Sequence, residues 1–103
     1  MKILFRGGLE DKVNSETLLL NISEIKNSIY PTVENVEIVA KDLIHYIELK
    51  HIRKGYKHFS TEGELEGGIL CMIDNVDWEL LKEHQTPLKN NYTIRFITTM
   101  HGG

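Results

Sequence analysis

The chain contains one cysteine, Cys71, so it can form no internal disulfide and has no Cys-x-x-Cys redox pair. No apolar run approaches the roughly 20 residues that a bilayer-spanning helix needs, and the N-terminus has no signal-peptide core. The expected location is therefore the cytoplasm, with a nuclear pool left open, and no membrane partner is expected. A Gly-x-Ser-x-Gly elbow, a Walker loop and a dinucleotide fingerprint are all missing. The histidines at 45, 51, 58, 84 and 101 form no i,i+4 pair and have no companion cysteine ligands, so neither a metal site nor a cofactor is expected. Net charge is only -3, which gives no global field for recruiting nucleic acid or anionic lipid, and strong direct nucleic-acid binding is not expected. No constellation of catalytic residues emerges, which argues against an enzyme.

What remains is a chain of 103 residues, enough for a single domain (1–103) that buries roughly two thirds of its unfolded surface. Lys2-Ile3-Leu4-Phe5-Arg6 reads as a strand ending at Gly7-Gly8, a structural turn with positive φ. A second strand, Thr17 to Ile22, puts Leu18, Leu20 and Ile22 on one side. Residues 23–32 read as a connection with Pro31 as punctuation and Thr32 as an N-cap. Val36, Val39, Ala40, Leu43, Ile44 and Ile47 then form one apolar helical stripe, with Gly55 ending the helix or following its frayed last turn.

The segment Lys50 to His58 is the only basic cluster, read as a solvated helix end whose charges suit the macrodipole. Residues 60–67 read as a polar loop. Gly68 to Asp74 is apolar on both faces, the mark of a central strand covered on both sides. With Ile69, Cys71 and Ile73 toward the helix, Leu70 and Met72 point the other way and form a candidate partner patch. Cys71 is then a small buried hydrophobe rather than a nucleophile. Asp74 to Asp77 reads as a turn, Trp78 as an aromatic pinning a short edge element, and Pro87 with Asn90-Asn91 as the turn into the last strand.

In that last strand Tyr92, Ile94 and Phe96 alternate with Thr93 and Arg95, and the chain ends in Thr99-Met100-His101-Gly102-Gly103. Two glycines bury no side chain and are costly to order, so 99–103 is expected to be a mobile tail reaching at most about 17 Å. Without Cβ atoms the tail can thread a narrow channel and expose its terminal carbonyl. A terminal carboxylate, with a pKa of about 3.5, is ionised at neutral pH and must be activated by another catalyst. The element order suggests an α+β β-grasp: a mixed sheet packed on one main helix, with the first and last strands as parallel central neighbours and a free Gly-Gly tail.

Asp77-Trp78-Glu79-Leu80-Leu81, together with Phe96-Ile97-Thr98-Thr99-Met100-His101-Gly102-Gly103, resembles the ubiquitin-related modifier (URM) family over nearly the whole chain. The resemblance implies a ubiquitin-like sulfur-carrier protein. Its activating enzyme, which has sulfurtransferase activity, adenylates the terminal glycine with ATP and converts it to a thiocarboxylate. The sulfur then passes, through a tRNA thiolation enzyme complex, to the 2-position of wobble uridine in certain transfer RNAs. The same terminus is joined by an isopeptide bond to lysines of target proteins. On this reading Gly103 is the modified residue, Gly102 gives clearance, and Met100 with His101 form the recognition element. Glu66-Gly67 and Asn90-Asn91 depart from the family's usual turns, and Met100 stands where Leu is common. Two other classes remain: a non-covalent ubiquitin-like interaction module, and an RNA-binding domain using Lys50 to Lys57.

Overall fold

A computed structural model describes residues 1–99. Its strands are β1 (Lys2–Arg6), β2 (Thr17–Leu19), β3 (Ser60–Thr61), β4 (Glu64–Leu65), β5 (Ile69–Ile73), β6 (Val76–Asp77) and β7 (Thr93–Thr98), with helices α1 (Ile22–Ile29) and α2 (Ala40–Lys50). Five strands form one mixed sheet in the order β2-β1-β7-β5-β6, and β3 and β4 make a separate small hairpin. β1 and β7 lie side by side and parallel at its centre, while β5 runs antiparallel to β7. This is the β-grasp arrangement that the element order suggests.

Alternation along these strands builds two faces. On the inner face one cross-strand row runs Leu18, Ile3, Ile94, Ile73 and the next runs Phe5, Phe96, Cys71. Helix α2 covers them with Leu43, Ile44 and Ile47, all fully buried. Phe5 stacks on Phe96 at 5.9 Å, and Phe59 meets both edge-on at 6.2 and 5.3 Å. Full burial of each such ring contributes about 1.5–3 kcal/mol, so this aromatic trio forms the centre of the core.

The structure departs from the sequence reading in several places, each with a local cause. Residues read as a linker fold into α1, started by a capping box: the Asn21 side chain accepts from the Glu24 N–H (2.9 Å) while the Glu24 carboxylate accepts from the Asn21 N–H (3.2 Å). β2 stops at Leu19 because the next residues start this helix. α2 begins at Ala40, not after Thr32: Ala40 N–H donates to Thr86 O and Leu88 N–H to Ile38 O, which draws 38–40 into an extended strip against 86–88. β-Branched Ile38 and Val39 suit that conformation. Asp42, buried beneath the helix start, accepts from Val39 N–H (2.9 Å) and from the Tyr30 hydroxyl (2.6 Å), tying α1 to α2.

Residues 60–67 form the β3–β4 hairpin, turned through Glu62 and Gly63 at φ 51° and 85°. The expected turn at 74–77 contracts to Asp74-Asn75, both at positive φ, and Val76-Asp77 becomes edge strand β6. Trp78 is buried in a 3₁₀ turn (Trp78–Leu80), its ring 4.6 Å from that of His84.

Candidate functional site

The candidate site is the place where the chain end leaves the sheet. Gly7 follows β1 at φ +73° and lies against β7, so close that a Cβ there would stand 2.5 Å from the Thr98 carbonyl oxygen. Only glycine fits both the left-handed backbone and this approach. Gly7-Gly8 is thus the structural turn expected, and Glu10 folds back so that its carboxylate accepts from the Gly8 N–H. On the opposite side the Thr99 N–H and hydroxyl both donate to Gly68 O, at 2.8 and 3.0 Å. The root of the tail is therefore gripped between the β1 turn and the start of β5 as far as Thr99. Met100, His101, Gly102 and Gly103 lie outside the described residues.

The outer face of the sheet adjoins this root. Across the three central strands one row reads Arg6, Ile97, Leu70 and the next Leu4, Arg95, Met72. Leu70 is 38% exposed and Met72 half-buried, while their inward neighbours Ile69, Cys71 and Ile73 are buried. Half-buried Ile97 extends this apolar patch, Leu4 of the second row is buried, and the two arginines interrupt it, Arg95 being steadied by donating to Asn75 Oδ1 at 2.9 Å. Ile97 was not singled out from the sequence. Its signal was available, since it follows Phe96 and so faces the side opposite Ile94 and Phe96.

Burial pushes the Cys71 thiol up to about 12, with the Asp77 carboxylate adding to the effect, so the thiolate needed for nucleophilic attack is not populated at neutral pH. Among the described residues no three His, Cys, Asp or Glu side chains gather to hold a metal, and no helix is long and apolar enough to cross a membrane.

The Urm1 (ubiquitin related modifier) family model matches residues 1–103. The chain belongs to the Urm1 family. Ubiquitin-related modifier 1 of Encephalitozoon cuniculi is 31% identical over 103 residues, all of both chains, and the homolog of Dictyostelium discoideum is 32% identical over 103 residues, all of this chain and 98% of that one. The solution structure of Urm1 from Trypanosoma brucei shares the fold with a TM-score of 0.70 at 20% identity, covering 99% of this chain and 93% of that one. Urm1 proteins are ubiquitin-like modifiers, a class in which the protein is handled by enzymes rather than acting as one.

One part of this Urm1 chain differs from the picture of a solvated helix end. α2 stops at Lys50, so Arg53, Lys54 and Lys57 lie beyond it, where the helix macrodipole has faded. The start of this segment is tied instead to the turn after β1: Arg53 N–H donates to Lys12 O (2.9 Å), Arg53 Nε to Val13 O (3.1 Å), and Asn14 N–H to His51 O (2.9 Å). Lys12 places its ammonium 5.7 Å from the centre of the Tyr56 ring.

His51 sits half-buried between these segments, its Nε2 shielded and without a hydrogen-bond partner among the described residues. Burial lowers its pKa, Lys50 lowers it further and Glu24 opposes them. A base with a depressed folded pKa binds fewer protons folded than unfolded, so its contribution to stability is full above about pH 6.5 and declines as pH falls through the folded value. Thermal melts at descending pH should therefore show a loss that His51→Gln reduces. An identical pH profile for both proteins would remove this assignment.

Proposed function

We propose that this Urm1-family chain is a cytoplasmic sulfur carrier and protein modifier whose Gly103 carboxylate is the group acted upon. The family match running through to Gly103 carries the reading, and the grip on Thr99 supports it, because a firmly held root lets the last residues be aimed into another protein. In the first step a carboxylate oxygen of Gly103 bonds to the α-phosphorus of ATP and pyrophosphate leaves. The resulting mixed anhydride has AMP as a good leaving group, so a difficult substitution becomes two easier ones. A persulfide on the activating enzyme then displaces AMP to give an acyl disulfide, and a second thiol of that enzyme cleaves its S–S bond, leaving the thiocarboxylate on Gly103 and a disulfide on the enzyme. That sulfur is destined for the 2-position of wobble uridine in transfer RNA, and the activated terminus also acylates lysines of target proteins. Gly102 keeps the approach to the carbonyl clear, while Met100 and His101 serve recognition. Intact mass after incubation with activating enzyme, ATP and a sulfur donor tests this: one oxygen-to-sulfur exchange at Gly103 is expected, and an unchanged mass rejects the carrier role.

The patch of Leu70 and Met72, flanked by Ile97, is the docking surface for the activating enzyme in this reading. Burying one such side chain contributes about 1.5–3 kcal/mol, and placing a carboxylate there removes that and adds a desolvation cost. Leu70→Asp or Met72→Asp should weaken the complex at least about tenfold by calorimetric titration. Both side chains lie on the outer face, so unfolding should stay cooperative. Undiminished affinity in a folded variant would eliminate this surface.

A further inference from the structure

The cations beyond α2 share the pole from which the tail departs. Gly8 lies next to Thr98, and from there a single 3₁₀ turn (Leu9–Asp11), which packs on β7, leads to Lys12, about 8 Å further along the turn's axis. Lys12 is joined to Arg53 through its carbonyl and to Tyr56 through its ammonium, and Lys54 and Lys57, both exposed, stand close to Tyr56 in the chain. None of Lys12, Arg53, Lys54 and Lys57 is within ion-pair distance of a carboxylate among the described residues; the ion pairs there involve Lys41, His45 and His84. Glu66 is near enough to raise the Tyr56 pKa, after burial, without pairing with any of these cations. Tyr56 and His58 add two rings in edge contact at 5.7 Å.

Four cations carried by one loop and the turn bonded to it, none of them in an ion pair among the described residues, favour an anionic partner. Three of them are lysines, and the one arginine already spends its Nε on Val13 O. Lysine is depleted at protein–protein interfaces, whereas lysine and arginine are the usual contacts to nucleic-acid phosphates. The outer sheet face, by contrast, offers apolar area of the kind a protein partner buries.

We propose that Lys12, Arg53, Lys54 and Lys57 form a phosphate-contacting surface for RNA, engaged while the neighbouring tail delivers sulfur to a transfer RNA. The proposal rests on the carrier reading above and names a direct contact between carrier and RNA. With an overall charge of -3 the contact is weak in isolation, independent of base sequence and steeply salt-dependent.

The test uses the full chain and a fluorescein-labelled RNA stem–loop, followed by anisotropy at about 50 mM salt and upward. Binding should fall with log salt at a slope of about -3, as three or so neutralised phosphates imply, and Lys12→Glu/Lys54→Glu/Lys57→Glu should bind at least about tenfold more weakly. Far-ultraviolet circular dichroism and a melt establish that the variant is folded, and a single Lys57→Glu exchange serves if it is not. Equal affinity for polyglutamate, or no RNA binding by the wild-type chain, would overturn the proposal. In the coupled reaction the variant should form thiocarboxylate at the normal rate and show a raised KM for transfer RNA. Loss at the thiocarboxylate step instead would assign the pole to the activating enzyme and reject the RNA contact. Failure of wild-type thiocarboxylation would reject the carrier reading, and the anisotropy measurement would still decide the pole.

Discussion

Deletion of Gly102 and Gly103 is expected to abolish thiocarboxylate formation and lysine attachment while moving the melting temperature by no more than about 2 °C. Two residues of extended chain span about 7 Å, so on the proposed carrier reading the shortened terminus would leave its carboxylate that far from the α-phosphate of ATP. Reactions that depend on a near-attack geometry lose about a hundredfold for a misplacement of 1 Å, so the loss here should exceed the sensitivity of intact-mass detection. Stability should hold, because the aromatic core, the five-stranded sheet and the Thr99–Gly68 hydrogen bonds are all built within residues 1–99. Scanning fluorimetry beside the mass assay checks both halves. A fall of many degrees would mean that the last residues belong to the packed body, and persistent sulfur incorporation would point to a different acceptor.

Where strands are long enough to alternate, the chain's own pattern showed how they would lie. Ile3/Phe5, Ile94/Phe96 and Ile69/Cys71/Ile73 are inner-face sets in the structure, and the parallel β1–β7 pair follows from their place in the element order. Two-residue strands such as β3, β4 and β6 have no period to detect, and their hairpins depend on turn residues at positive φ. The helical stripe from Val36 to Ile47 misled because extended Ile38 and Val39 are also apolar and buried or half-buried, and only their pairing with 86–88 separates them from α2. α1 was in principle legible, since Asn21 and Glu24 stand at the capping-box spacing, but the polar residues between its isoleucines masked the amphipathic pattern. Of the site, Leu70 and Met72 could be read from the two-sided apolar strand. The grip on the tail root could not, because Gly7 and Thr98 meet through a parallel pairing of the two ends of the chain, which no local window contains.

Gly7→Ala should be among the most damaging single substitutions, costing about 2–4 kcal/mol. A non-glycine residue forced to φ +73° carries about 1–3 kcal/mol of strain, and its methyl group would have to displace backbone rather than a compliant side chain, since the Thr98 carbonyl oxygen stands 2.5 Å from the ideal Cβ position. Against the 5–15 kcal/mol typical of a whole domain that is a large share, equivalent to a melting drop of about 10 °C or more. Gly8→Ala is the internal control. It has comparable backbone strain at φ +107°, but its nearest neighbour, Thr98 Cγ2, is 3.8 Å away, so it should lose only the strain component. The excess loss of Gly7→Ala over Gly8→Ala then measures the close approach itself. Relief of that clash would push β7 away from the turn and loosen the Thr99 amide from Gly68 O, so amide exchange at Thr99 should quicken in Gly7→Ala and not in Gly8→Ala. Equal melting temperatures for the two variants, with unchanged exchange at Thr99, would show that the turn does not hold the tail root.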